Sequence, residues 1–255
     1  MDNYNEKHSF TDYTVVGSTR GSDAQTLAKD FFGRVFAFMF VALAISALFA
    51  YLFSNNPALT SYLVDVSTEG RFKLNILGWL VMFAPIGFVM LMSFGFSRLS
   101  QGALVVIFLL YSAVNGISFS FLLSQYAGSS ILGCFLGSAA MFGVMAVMGY
   151  TTDKDLTSMG RILIMGLIGI LIASLINMFM GSAMMDYVIS IFGVIIFTGL
   201  TAYDTQKLKR IGMGLQYEDV SKADTNKMAI LGALNLYLDF VNLFLFVLRL
   251  FGRRK

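Results

Sequence analysis

Side chains that usually carry enzyme chemistry are scarce in this sequence. Its one histidine, His8, lies in a polar amino-terminal tail, which excludes Ser-His-Asp triads and HExxH zinc sites. No GxxxxGK[ST] loop is present, so ATP-driven transport by this chain alone is excluded. The single cysteine, Cys134, excludes an intrachain disulfide. Chemistry at a buried site would therefore rest on carboxylates.

Charged residues are also few, and apolar residues are abundant. Charged residues make up 13% and apolar residues 57% of the 255 residues, and the mean hydropathy is +0.74. These values are typical of a polytopic membrane protein. The excess of 18 basic over 15 acidic residues is too scattered for nucleic-acid binding. Residues 1–30 are polar, lack a signal peptide and are expected to form a flexible tail.

Apolar stretches of about 20 residues recur along the rest of the chain, each long enough to cross the hydrocarbon of a bilayer. They fall near residues 32–53, 74–97, 102–124, 131–150, 162–180, 187–206 and 228–250. Each backbone hydrogen bond must be satisfied within lipid, which favours helices. The sequence therefore predicts an all-α membrane protein with one seven-helix domain over residues 31–255.

The distribution of Lys and Arg predicts the orientation, because these residues accumulate on the cytoplasmic side. Twelve lie in the amino-terminal tail and the even loops, including the segment 207–227, and six lie on the opposite side. The amino terminus is therefore expected to be cytoplasmic. The basic tail after Arg249 breaks this pattern: seven crossings place it outside, whereas a re-entrant last segment would place it inside. We favour seven crossings, because 228–250 is long enough to cross.

Proline and glycine give weaker indications about the spans. Pro85 lies inside the second span and is expected to kink it, because proline removes a backbone donor. Gly133 and Gly137 form a small-xxx-small pair, which predicts close helix packing.

Two aspartates stand out within the apolar spans. Asp204 ends the sixth span, and Asp239 lies in the middle of the seventh. An ionised carboxylate at mid-bilayer costs roughly 3 kcal/mol, so such a residue is a functional candidate. Asn235 and Asn242 share a helical face with Asp239 at spacings of four and three residues. This polar face is expected to point into the bundle.

The sixth span has a polar cluster of its own, where Thr198, Thr201 and Thr205 accompany Asp204. If the two aspartates face each other, they are expected to share a proton, because like charges at close range cannot both ionise. Asn235, Asn242 and Thr201 are then candidate pore-lining residues. The alternative is that Asp204 is a solvated residue just beyond a helix end and Asp239 a satisfied hydrogen-bond partner.

Two motifs carry a family resemblance. The runs TAYDTQKLK (201–209) and LNLYLDFVNLFLFVLRLFG (234–252), with the pair Asn115-Gly116 in the third span, closely resemble the bacterial branch of the Bax inhibitor family. The resemblance extends over essentially the whole chain. It implies six helices arranged around a central seventh, a bacterial inner-membrane location and no enzymatic activity or cofactor.

The resemblance also implies a function and residue roles. Members are associated with a pH-sensitive calcium leak, in which two aspartates form a hydrogen-bonded pH sensor and an arginine at the end of helix 2 engages the first. By motif these roles fall on Asp204, Asp239 and Arg98. The implied partners are the lipid bilayer, protons and calcium ions, with transient calcium binding at Asp204 and Asp239.

Two other functions are considered. An intramembrane aspartyl protease of the presenilin type also places two aspartates on helices 6 and 7, and Tyr203-Asp204 matches it. However, Tyr237-Leu238 precedes Asp239 where a GxGD motif is expected. The Pro-Ala-Leu motif expected after it is also missing, because no proline follows Pro85. The alternative that stays open is a regulator that binds a quality-control protease or other membrane protein, as bacterial relatives do.

Overall fold

The structure is a computed structural model that describes residues 10–66, 72–95, 98–215 and 221–255. Two three-residue strands, β1 (Val64–Val66) and β2 (Phe72–Leu74), pair antiparallel before the second long helix. The helices are α1 (Phe10–Asn55), α2 (Pro57–Thr60), α3 (Ile76–Gly95), α4 (Gln101–Leu123), α5 (Gly128–Thr151), α6 (Thr157–Met180), α7 (Ala183–Gly214) and α8 (Lys222–Phe251). His8, Arg71 and residues 216–220 of the predicted loop lie outside the described residues.

Every predicted span corresponds to a long helix. Within the described ranges, seven helices are long and apolar enough to cross a membrane: Thr26–Asn55 of α1 and the whole of α3 to α8. Their most apolar windows have mean hydropathies between 1.9 and 2.5. The all-α membrane fold predicted from the sequence is confirmed.

The last helix occupies the centre of the bundle. Two thirds of the apolar window of α8 (67%) is buried, whereas only 6% of the window of α6 is buried. Helix α8 packs against α1, α4, α5 and α7, while α3 lies on α4 and α6 lies on α7. The central position of the seventh span is confirmed, with α3 and α6 as the outer members of the ring.

The chain ends beside the connection between α4 and α5. The N–H of Ala127 donates to the carbonyl of Arg253 at 3.0 Å, and the N–H of Lys255 donates to the carbonyl of Gln125 at 2.9 Å. Because α8 is one unbroken helix, the re-entrant alternative is wrong and the tail lies at the end reached by a full crossing. We call this the tail end (residues 124–128, 181–186 and 249–255) and the opposite one the clasp end (residues 152–157 and 206–210).

The small-xxx-small prediction for α5 is wrong. A Cβ added to Gly133 or Gly137 would meet nothing within 4 Å, and both glycines are exposed. The close approaches lie elsewhere: a Cβ on Gly116 would lie 2.8 Å from the Cα of Ser46, and one on Gly149 would lie 2.8 Å from the Cα of Ala202. A spacing of small residues does not tell which face of a helix meets a neighbour.

Helix boundaries differ from the expectations at two places. Helix α1 begins at Phe10, so residues 10–30 of the predicted tail are helical; the flexibility of that tail stays a prediction. Helix α7 continues to Gly214, so Asp204 lies within the helix and the alternative that placed it beyond a helix end is wrong. Pro85 lies inside α3, which runs through it from Ile76 to Gly95.

Candidate functional site

Glycines bring α7 and α8 close together on both sides of the two aspartates. A Cβ on Gly232 of α8 would lie 2.6 Å from the Cδ2 of Leu208, and one on Gly193 of α7 would lie 2.5 Å from the ring of Phe246. Small residues at a crossing let helix backbones approach within a membrane. This close antiparallel packing is what allows short aspartate side chains on the two helices to meet.

Asp204 and Asp239 lie close enough for their carboxyls to interact, and for one to donate a hydrogen bond to the other if it is protonated. Asp239 is only 5% exposed. Two ionised carboxylates have no proton to donate, so a hydrogen bond between them requires one carboxyl to be protonated. In the part of the chain that the structure describes, the Oδ2 of Asp239 is buried without a hydrogen-bond partner. The structure therefore brings Asp204 and Asp239 together, and the proton shared between them stays a prediction.

The two members of the pair have different surroundings. Asp204 is half-buried and lines a cavity of about 200 Å³ between α7 and α8, together with Lys207 and Asn235. The positive charge of Lys207, one turn along α7, acts on the Asp204 carboxyl. Sequence analysis did not single out this lysine. The pair thus joins a buried acid to an acid that lies at an opening.

The remaining predicted pore-lining residues bond to their own helices. The Nδ2 of Asn242 donates to the carbonyl of Leu238 at 2.8 Å, and the Oγ1 of Thr201 donates to the carbonyl of Phe197 at 2.8 Å. Thr201 is fully buried, and Asn242 is half-buried. Two residues of the polar stripe on α8 are near Asp204. Asn235 lines the same cavity, and Asp239 interacts with its carboxyl. The pore-lining role of all three candidates stays a prediction.

Two further hydroxyls on α7 lack partners near the pair. Among the described residues, the Oγ1 atoms of Thr198 and Thr205 are buried without a hydrogen-bond partner. Thr205 directly follows Asp204 in the chain. Buried polar groups are satisfied in most proteins, and an orphaned one costs about 1–3 kcal/mol. This stretch of α7 therefore holds two buried hydroxyls whose hydrogen bonds are not satisfied by the described residues.

Arg98 lies apart from the pair. It follows α3 at an exposed position, with its backbone N–H bonded to the carbonyl of Gly95 at 2.9 Å. Among the residues described, its guanidinium forms no ion pair with a carboxylate. The structure therefore does not bring Arg98 to Asp204, and its role as a latch stays a prediction.

A preformed calcium cage is absent from the described residues. No cluster of three or more Asp, Glu, His or Cys side chains is found there. Calcium takes six to eight oxygen ligands, and the pair supplies only two carboxyls. These residues fit a weak contact with a passing ion rather than a resident metal site.

A second polar centre, which sequence analysis did not predict, joins α8 to α1 and α4. The Oγ of Ser46 lies 2.7 Å from the hydroxyl of Tyr237 and 2.7 Å from the carbonyl of Ser112. The Nδ2 of Asn115 donates to the hydroxyls of Tyr237 at 2.9 Å and Tyr111 at 3.3 Å. Because Ser46 donates its one proton to the carbonyl, the Tyr237 hydroxyl donates to Ser46. We call these four side chains, Ser46, Tyr111, Asn115 and Tyr237, the neutral network.

A third polar cluster ties α7 to the connection between α5 and α6. The amide of Gln206 donates to the carbonyl of Lys154 at 2.7 Å and accepts from the N–H of Leu156 at 2.9 Å. Arg210 bonds to Asp155 at 2.6 Å. Hydrogen bonds from Thr157 and Arg210 hold the pKa of the exposed Asp155 carboxyl below its usual value. These contacts fix the clasp end beside the aspartate pair.

Comparisons with known proteins match almost the whole chain. A family model described as "Inhibitor of apoptosis-promoting Bax1" matches residues 28–255. The inner membrane protein YbhL of Escherichia coli is 40% identical over 227 residues, which cover 89% of this chain and 93% of the relative. An uncharacterized protein of Borreliella burgdorferi is 42% identical over 241 residues, covering 94% and 99% of the two chains. An uncharacterized protein of Rickettsia prowazekii is 36% identical over 222 residues, covering 87% and 89%.

Proposed function

Because this chain belongs to the Bax inhibitor family of membrane proteins, we propose that it is a pH-sensitive leak pathway for calcium and other cations. The proton shared by Asp204 and Asp239 gates this pathway. The observation that supports the proposal is the close approach of two carboxyls on neighbouring membrane-spanning helices. The protein is an integral membrane protein, and we place it in the bacterial inner membrane, as the name of its Escherichia coli relative states for that protein.

The shared proton ties α7 to α8. While it is present, one carboxyl donates to the other, and the pair carries a single negative charge. Raising the pH removes this proton and leaves two negative charges in contact inside the membrane, where their repulsion is stronger than in water. The pair then separates or gains a positive partner, and the two carboxyls titrate as a unit rather than as independent groups.

Arg98 is the positive partner in this proposal. It follows α3, whose interior Pro85 removes one backbone hydrogen bond and makes that helix easier to bend. At high pH, Arg98 moves to the deprotonated Asp204 and the resulting ion pair closes the cytoplasmic mouth. Acid returns the proton to the pair, releases Arg98 and favours opening. A difference of a few kcal/mol between the two conformers is enough for protonation to shift their populations.

The cavity beside Asp204 gives the ion its first protein ligands. The Asp204 carboxyl and the Asn235 side chain line it together, and oxygen ligands suit a hard cation such as calcium. Lys207 lines the same cavity and opposes entry of a cation. Weak binding of this kind suits conduction, since an ion that binds too tightly does not leave.

The test is calcium uptake by the purified protein in liposomes between pH 6 and 8. We expect the parent to leak more in acid, Arg98→Ala to leak more than the parent at high pH, and Asp204→Asn to lose the pH dependence. Asp153→Asn is the matched control, because it removes an exposed carboxylate at the clasp end and leaves the pair intact. An Asp204→Asn protein with the parent's pH response would refute gating by the pair.

The buried member of the pair is tested separately. Asp239→Asn keeps the size of the side chain and removes its charge and proton. If Asp239 is central to the ion path, uptake by this variant differs from that of the parent at every pH. Indistinguishable uptake would show that Asp239 does not control permeation.

The orientation of the bundle also stays a prediction. The segment 207–227 is expected on the cytoplasmic side and the tail after Arg249 on the other. In a Cys134→Ser background, cysteines introduced at Ser221 and after Lys255 should react with an impermeant thiol reagent from opposite sides of the membrane. Labelling from one side only would contradict seven crossings.

The long first helix favours a second candidate function, in which the protein regulates a quality-control protease or other membrane protein. Helix α1 begins at Phe10, whereas the first apolar stretch of the sequence begins near residue 32. Residues 10–25 therefore extend the helix ahead of the span and give a partner a binding arm. Deletion of residues 1–25 should abolish such binding and leave calcium uptake unchanged. Loss of uptake with retained binding would exclude this role for the arm.

A further inference from the structure

The wall of the bundle has a groove between α1 and α5 at the tail end. It encloses about 500 Å³, and its inner wall is formed by Phe240, Val241 and Phe244 of the central helix. Helix α4 lines its back, and Ile131 and Phe135 of α5 line its side. The Asp204–Asp239 cavity shares none of these residues, so the groove is a separate feature.

The length of the groove matches one leaflet of a bilayer. On α1 its lining runs from Leu43 to Asn55, which is about 18 Å at the α-helical rise of 1.5 Å per residue. Half of the hydrocarbon thickness of a bilayer is roughly 15 Å. A ligand in this groove would therefore extend from the membrane surface to the middle of the membrane.

The deep part of the groove is apolar. Its innermost polar lining residue, Ser46, uses its hydroxyl in bonds to Ser112 and Tyr237. No free donor is left there, and apolar cavities of this kind exclude water. A single hydrocarbon chain has the narrow shape that the groove requires.

The mouth of the groove is polar and positively charged. Lys255 lines it, together with Ser54 and Asn55. The backbone of Lys255 is held by Gln125 at 2.9 Å, and among the described residues its ammonium pairs with no carboxylate. Arg253 and Arg254 precede it at the same surface. The three basic side chains of Arg253, Arg254 and Lys255 at this surface, above an apolar groove, fit an amphiphile with an anionic head and a hydrocarbon tail.

We propose that this groove binds one acyl chain of an anionic phospholipid from the leaflet at the tail end, with the phosphate beside the Lys255 ammonium. The lipid fills the gap between α1 and α5 and packs against Phe240, Val241 and Phe244 of α8 at the inner wall.

Native mass spectrometry of the purified full-length protein tests this site, with phosphatidylglycerol and phosphatidylcholine of identical acyl chains as probes. The parent should retain one phosphatidylglycerol in preference to phosphatidylcholine. Ala47→Trp places a large ring in the groove from an exposed position and should abolish this retention. Ala44→Trp is the matched control, because Ala44 is exposed on α1 and lies outside the groove, so this variant should retain the lipid.

The headgroup contact has its own variant. Lys255→Gln should lower the preference for phosphatidylglycerol about fivefold, which corresponds to the roughly 1 kcal/mol that one lysine contributes near an anionic lipid surface. Equal retention by the parent, Ala47→Trp and Ala44→Trp would overturn the groove as the binding site. An unchanged preference in Lys255→Gln would overturn the assignment of the anionic head to Lys255.

Discussion

Two polar centres lie two residues apart on the same buried helix, and they differ in kind. Tyr237 belongs to the neutral network, in which its hydroxyl both accepts from Asn115 and donates to Ser46. Asp239 belongs to the aspartate pair, and among the described residues its buried Oδ2 has no hydrogen-bond partner apart from the proton that we propose the two carboxyls share. Residues two apart point to roughly opposite sides of a helix, so α8 presents the neutral network to α1 and α4 and the pair to α7.

We expect the two centres to have different roles. The neutral network holds helices in position, and the aspartate pair responds to pH. Neutral hydroxyls and amides that satisfy one another fix the positions of three helices and do not change between pH 6 and 8. A carboxyl pair changes its charge with pH and has an incomplete set of bonds, so its lowest-energy arrangement depends on its protons. We therefore expect the neutral network to hold α8 against α1 and α4 while the charge of the aspartate pair changes with pH.

The largest effect is expected from placing an acid in the neutral network. Asn115→Asp creates a carboxylate among groups that have no compensating cation, and a buried unpaired charge costs several kcal/mol. Because the folded state then holds its proton more tightly than the unfolded state does, stability should fall as pH rises from 5 to 8. Thermal unfolding in detergent measures this. Asn55→Asp, at an exposed position, is the control and should change little.

The next effect concerns the approach of α1 to α4 that assembles the neutral network. Gly116→Ala forces a Cβ against the backbone of Ser46 and should destabilise the protein by about 1–3 kcal/mol, as overpacking usually does. Gly133→Ala enters open space and should stay within about 0.5 kcal/mol of the parent. Equal unfolding temperatures for the two variants would show that this close approach does not support the fold.

A smaller effect is expected from removing one hydroxyl of the neutral network. Tyr237→Phe deletes the donor to Ser46 and the acceptor for Asn115. Hydrogen bonds between membrane helices contribute about 0.6 kcal/mol each, up to about 1.7. The unfolding temperature should therefore fall modestly, while the pH dependence of calcium uptake stays that of the parent. A shift in that pH dependence would mean that the two centres are not separate.

The smallest effect belongs to the clasp end, where the charged contact is exposed. The pKa of Asp155 is lowered by its hydrogen bonds to Thr157 and Arg210, so its contribution is present above the ordinary aspartate pKa of about 3.9. It is lost as the pH falls through the lowered value. Asp155→Asn should therefore unfold slightly earlier than the parent at pH 7, with the difference shrinking in strong acid. A constant difference would contradict the ionic origin.

The predictions from sequence succeeded where the informative pattern, such as apolar length or a buried carboxyl, lies within a single helix. The apolar lengths located all seven spans. Asp239 points into the bundle as predicted, whereas Asn235 on the same predicted stripe is exposed, so the inward direction of the whole stripe was wrong. Asp239 was conspicuous because a carboxyl inside an apolar run is costly. Its contact with Asp204 was expected because both belong to motifs of one family, and the structure shows that contact.

The predictions failed where the signal is shared between distant helices. The neutral network joins Ser46, Asn115 and Tyr237, and no spacing within one helix relates residues so far apart in sequence. The same holds for the bonds from Gln206 to Lys154 and Leu156. Gly133 and Gly137 have the spacing of a packing motif, but they lie on a face of α5 that no described neighbouring helix approaches.

The shared proton is the central claim, and infrared difference spectroscopy tests it most directly through the carbonyl stretch of a protonated carboxyl. The parent protein at pH 7 should show this band, and it should disappear at high pH. Asp239→Asn should remove the band, because Asp204 then ionises beside Lys207 and the open cavity, whereas Asp153→Asn should leave it unchanged. A band of equal intensity in the parent and in Asp239→Asn, or no such band in the parent, would contradict the account.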